Sequence, residues 1–109
     1  MNTSGMLRGY LSKVMDPESY FYHVVTCMEK QLTDWEYDPI LLFDWQEDSR
    51  MIHMSFIING ELYWLELEKE LSKQLQLKSP YSIDRYLWEI LKKQGLKLKE
   101  SNYILNAFL

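Results

Sequence analysis

An imidazole set between two carboxylates can relay a proton or give a transition metal three ligands. Asp44, His53 and Glu66 reach that arrangement if the chain between them forms three antiparallel strands. A solvated polar stripe accounts for the same residues, because an imidazolium between two carboxylates on a sheet face needs no further purpose. No nucleophile or oxyanion donor is identifiable beside the row, so acid–base catalysis lacks its other half.

Three further groupings carry chemistry-bearing side chains. His23 and Cys27 lie four residues apart, sharing a helix face as a nucleophile–base pair or half a zinc site would. Cys27 falls mid-helix, away from the positive N-terminal end that lowers a thiol pKa, and a buried structural cysteine fits better. Asp34, Glu36 and Asp38 alternate like the opening of a calcium loop. Pro39 and Trp45, however, stand where that loop needs Gly and a bidentate Glu, which leaves an acidic connection. Lys92, Lys93, Lys97 and Lys99 would suit a phosphate, yet lysines also favour a helix C-terminus through its dipole. Gly-rich phosphate loops and Gly-x-Ser-x-Gly elbows are absent from the sequence.

The elements that position these residues centre on Met51 to Leu67 (MIHMSFIINGELYWLEL). Two β-rich runs there flank Asn59-Gly60, the pair favoured by a two-residue type I′ turn. Opposing Ile58 to Glu61 places Phe56 against Tyr63, Met54 against Leu65 and Ile52 against Leu67. On the other face, Ile57 opposes Leu62, Ser55 opposes Trp64 and His53 opposes Glu66. Pro39 to Gln46 reads as a preceding strand joined through the polar stretch Glu47 to Arg50. Pairing Gln46 with Met51 adds Leu41, Phe43 and Trp45 to the apolar face. It adds Ile40, Leu42 and Asp44 to the mixed face, where Asp44, His53 and Glu66 become one row beside an apolar patch.

Helices are predicted on both sides of this meander. Met6, Leu7, Tyr10, Leu11, Val14 and Met15 recur at helical spacing, with residues 1–4 as a disordered tail. Asp16-Pro17-Glu18 is a helix start, followed by the stripe Tyr20, Phe21, Val24, Val25, Met28 and Leu32. Leu67, Leu71 and Leu75 predict a helix following the third strand almost without a loop. Ser82 is expected to cap another, with Ile83, Leu87, Ile90 and Leu91 inward, Trp88 at the edge and Gly95 as the stop. Leu96 to Lys99 alternates like an edge strand, while Ser101 suits the cap of a last turn around Tyr103, Ile104 and Phe108.

The chain of 109 residues fits one domain with a sizeable core, and a hydrophobic content of 47% argues against disorder. A single cysteine excludes an internal disulfide and suits a reducing compartment. With neither a membrane-length apolar run nor a signal-like N-terminus, a cytoplasmic location is expected. The net charge of −4 disfavours generic nucleic-acid binding. Seven acids between Glu29 and Asp48 meet the single Lys30.

The expected architecture is α+β: a three-stranded antiparallel meander packed against N- and C-terminal helices in a single domain. The expected function is a non-catalytic regulator or inhibitor without a cofactor, of the class common among small proteins of bacteria, phages and other mobile elements. It would bind a basic protein partner through Ile57, Leu62, Trp64, Asp44, Glu47, Asp48, Glu36 and Asp38, with a homodimer as a second use of an exposed apolar face. The alternative is a small ligand-binding, metal-binding or catalytic domain using Asp44, His53 and Glu66.

Overall fold

The computed structural model describes residues 5–109, and the tail expected at residues 1–4 lies outside them. Among the described residues, five helices and one sheet follow in the order α1 (Gly5–Val14), α2 (Pro17–Asp34), β1 (Pro39–Asp44), β2 (Met51–Ile58), β3 (Glu61–Glu68), α3 (Lys69–Lys78), α4 (Ser82–Lys93) and α5 (Asn102–Ala107). The sheet is an antiparallel meander in the order β1-β2-β3. The fold is α+β, with helices supplied from both sides of the meander.

Both registers match those implied by the hydrophobic pattern. Asp44 opposes His53 across β1 and β2, and His53 opposes Glu66 across β2 and β3. The turn holds because Asn59 (φ 54°) and Gly60 (φ 81°) both adopt the left-handed conformation that a type I′ turn requires. Asn59 also anchors the neighbouring strand: its Oδ1 accepts from the Asp38 amide at 2.8 Å, and its own amide donates to the Asp38 carbonyl at 3.0 Å. β1 ends at Asp44, two residues short of the expected Gln46. There the chain turns aside so that the Lys69 ammonium meets both the Gln46 carbonyl and the Trp45 ring.

α2 covers the apolar sheet face. Asp16 caps it by accepting from the Ser19 amide at 3.1 Å, with Pro17 in the first turn. Tyr20, Phe21, Val24, Val25, Met28 and Leu32 are all buried, and Phe21 packs edge-on to Phe43 with ring centroids 5.0 Å apart. From below come Ile52, Met54, Phe56, Tyr63, Leu65 and Leu67, all buried. α3 begins directly after β3, as expected.

α1 is a helix, but it is turned over relative to its apolar stripe. Met6 is 89% exposed, with Leu7, Tyr10 and Val14 also outward, while Arg8 and Ser12 are buried. The cause is an ion pair. Both terminal nitrogens of Arg8 reach the Asp84 carboxylate of α4, at 2.6 and 2.7 Å, and both side chains are fully buried. The guanidinium also donates to the Pro80 carbonyl at 2.9 Å and lies over the rings of Tyr81 and Tyr20. Burial works against its charge, but Asp84 outweighs burial and holds the guanidinium above its usual pKa. Asp84 accepts in addition from the Tyr103 hydroxyl at 2.5 Å, which itself accepts from Trp88 Nε1 at 3.1 Å. Satisfying these polar groups leaves α1 no freedom to turn its apolar stripe inward.

The same polar logic governs Gln76 of α3 and Trp88 of α4, though not the buried Ser72 hydroxyl, which has no hydrogen-bond partner among the described residues. α3 buries Ser72 and Gln76, and the Gln76 amide donates to the carbonyls of Ser12 and Met15 at the end of α1. In α4, Trp88 is fully buried instead of marginal, because its indole N–H finds Tyr103 inside. Ser82 opens the helix one position later than a cap, after Tyr81. Gly95 (φ 105°) closes the helix, with its amide donating to the Lys92 carbonyl. Leu96 to Lys99 forms no strand, and Ser101 caps α5 by accepting from the Ile104 amide at 3.1 Å.

Two outcomes follow for stability. Arg8→Met strands a buried carboxylate and is expected to cost about 3 to 5 kcal/mol; adding Asp84→Leu should recover most of the loss, measured by urea unfolding as a double-mutant cycle. Burial lifts Tyr20, Tyr81 and Tyr103 above the ordinary phenol pKa, and at Tyr103 the Asp84 carboxylate adds to the effect. Raised folded-state values leave their contribution intact below about pH 10, where unfolded tyrosines also keep their protons, and remove it as pH climbs further. Urea midpoints should therefore fall in the alkaline range, less steeply in Tyr103→Phe.

Candidate protein-binding face

Because α2, α3 and α4 gather on the apolar side, no described helix packs over the other face of the sheet, and its alternating side chains meet solvent. Across the strands these form three rows: Ile40, Ile57 and Leu62; Leu42, Ser55 and Trp64; Asp44, His53 and Glu66. Trp64 is 62% exposed and Leu42 57%, with Ile40 and Leu62 each at half. Ile57 and Ser55, on the central strand, are half-buried between their neighbours.

Charge around this patch is mostly acidic, with Arg50 and Lys69 as the basic residues at its Asp44 end. The three strands contain Asp44, Glu61, Glu66 and Glu68 and no Lys or Arg. The loop after β1 adds exposed Glu47 and Asp48 at the Asp44 end, and exposed Glu36 and Asp38 precede β1 at the hairpin-turn end. Acids thus stand at both ends of an apolar patch. Glu36 is held there with φ at 65°, the left-handed conformation that ends the turn after α2. Ile40 and Leu42 belong to the patch as fully as Trp64 does, a placement signalled by the alternation in Pro39 to Asp44.

The Asp44, His53, Glu66 row exists in register, but its side chains do not converge on a common point. His53 Nδ1 lies 3.4 Å from Glu66 Oε1, both largely exposed. Among the described residues no group of three or more His, Cys, Asp or Glu side chains is placed to hold a metal ion.

His23 and Cys27 do meet on α2, with Cys27 Sγ 3.6 Å from His23 Nε2. His23 borders an open hollow of about 470 Å³ that also includes Glu18, Tyr22 and Phe43, whereas Cys27 is 3% exposed and does not line it. Burial pushes the thiol pKa up, but His23 and Arg8 outweigh it and bring the thiol below its usual value. Asp34, Glu36 and Asp38 remain a connection, with the Asp38 backbone tied to Asn59. Lys99 is occupied by structure, its ammonium donating to the Trp35 carbonyl at 3.3 Å and lying over the Tyr37 ring.

Comparison with known protein families, curated proteins and solved structures gives no match. No described helix is long and apolar enough to cross a membrane.

Accessibility, not acidity, governs Cys27. In the folded protein a pyridyl disulfide reagent is expected to modify it far more slowly than a solvent thiol, at a rate that rises in proportion to the unfolded fraction as urea is added. Immediate stoichiometric labelling without urea would show that the thiol is open to solvent.

Proposed function

We propose that the protein is a non-catalytic binder of another protein, regulatory or inhibitory in effect, and that it docks through the open face of its sheet. The observation that carries this is the exposure of Ile40, Leu42, Leu62 and Trp64 as one contiguous patch on a regular sheet. Apolar surface held in water costs about 25 cal/mol per Å², and covering it with a partner recovers that free energy. An indole in the middle row of such a patch, as Trp64 is, is the kind of side chain that dominates an interface.

The surrounding charge favours a basic partner. Asp44, Glu47, Asp48, Glu66 and Glu68 gather at one end of the patch and Glu36 and Asp38 at the other, with the strands free of Lys and Arg. Complementary charge accelerates encounter and fixes orientation. The same pattern disfavours a homodimer through this face. If the two-fold axis runs along the strands, acid rows stack on acid rows; if it runs across them, each acid row is desolvated against Ile40, Ile57 and Leu62. A partner presenting an apolar strip beside lysines or arginines meets neither penalty.

Trp64→Ala is expected to speed dissociation from a partner captured from the native host, while rising salt slows association. The fold should tolerate the change, shifting unfolding free energy by less than about 1 kcal/mol, as surface substitutions do. A loss of about 3 to 5 kcal/mol, typical of a buried aromatic, would place Trp64 in the core and remove the surface. Unchanged dissociation would place the interface elsewhere.

A further inference from the structure

The C-terminal end carries a surface of opposite character. Between the extended stretch at residues 96–100 and α5 runs an open groove of about 680 Å³. Leu96, Leu98, Ile104 and Phe108 give it apolar walls, and at its exposed border Lys92, Lys97 and Lys99 outnumber the one lining acid, Glu100. Four lysines against two glutamates lie between Glu89 and Leu109, in a chain whose net charge is −4. Of these lysines, Lys99 is engaged by Trp35 and Tyr37, whereas the ammonium groups of Lys92 and Lys97 donate to no described residue, the Lys97 carbonyl alone accepting from the Tyr37 hydroxyl and the Lys92 carbonyl from the Gly95 amide.

We propose that this groove binds a single-chain fatty carboxylate, its hydrocarbon along the Leu98, Ile104 and Phe108 wall and its carboxylate between Lys92 and Lys97. The volume lies within the range of about 300 to 1,000 Å³ typical of small-molecule sites. A docked peptide helix fits less well. The wall formed by α5 is six residues long, about 9 Å, against about 16 Å for three helical turns. Apolar walls select a hydrocarbon, and the local positive charge in an otherwise acidic protein selects an anionic head over a cationic one. This site shares no residue with the sheet face, so either can be wrong without the other.

The test is a titration of the full-length protein with dodecanoate below its micellar concentration, followed by calorimetry and by amide shifts. Saturable binding of one molecule is expected, with shifts confined to residues 92–109. Lys92→Glu with Lys97→Glu should weaken dodecanoate at least tenfold and admit dodecyltrimethylammonium, which the native protein should refuse. Leu105→Asn, at an exposed border position, should weaken dodecanoate while leaving the circular-dichroism spectrum unchanged. Absence of saturable binding, shifts on the sheet strands, or indifference to charge reversal would overturn the assignment. So would displacement of dodecanoate by an acidic helical peptide or by anionic phospholipid vesicles at lower concentration, which would make the groove a protein or membrane contact.

Discussion

The ion pair between Arg8 and Asp84 joins the two halves of the helical layer across 76 residues of sequence, and the orientation of everything around it depends on its being satisfied. A fully buried charge without a partner is intolerable at the scale of a small domain's stability. The guanidinium is therefore matched on both terminal nitrogens, backed by Pro80, and enclosed by aromatic rings. Tyr103 and Trp88 extend the chain of donors from Asp84 into α5 and the core. This one polar cluster decides which face α1 presents, why Trp88 lies at the centre of α4's buried side, and where α5 is fastened.

With the helices committed in this way, the sheet is left asymmetric. Its apolar face is sealed by α2 and the C-terminal helices, and its other face carries Trp64, Leu42, Ile40 and Leu62 into water. A three-stranded sheet with both outer strands at edges would be vulnerable to indiscriminate pairing. Here the acids on and beside the strands outnumber the flanking Arg50 and Lys69, and that excess opposes face-to-face contact between copies. Four of the nine lysines instead fall between Lys92 and Lys99, beside the C-terminal groove.

The sheet was legible in the sequence because its period is two and its turn chemistry is unambiguous. Asn59-Gly60 sets one register, the alternation in Pro39 to Asp44 sets the other, and a slip of one residue in either would expose Phe56 or Met54. The row of Asp44, His53 and Glu66 followed from the same counting. Its failure to converge as a ligand set could not be seen that way, because register places Cα atoms and says nothing of where exposed carboxylates point. α2 was legible from its cap and stripe. α1 was not: hydrophobic spacing assigns Met6, Tyr10 and Val14 to the inside, and only the distant Asp84 reveals that Arg8 belongs there. A charge paired across 76 residues leaves no local signature. The ambiguity at Leu96 to Lys99 has a similar origin, since that stretch is fixed by the Tyr37 hydroxyl donating to the Lys97 carbonyl at 2.9 Å instead of by a strand.

The proposed docking surface is the sheet's second face, open in the free protein and closed in the complex. Hydroxyl-radical footprinting at low protein concentration tests it most directly. Trp64, Leu62 and Leu42 should be heavily modified in the protein by itself and protected together in the complex, while Tyr10 on the outer face of α1 stays equally reactive in both. Protection of Trp64 in the isolated protein, or partner-dependent protection that appears on α1 and leaves the sheet unchanged, would contradict it.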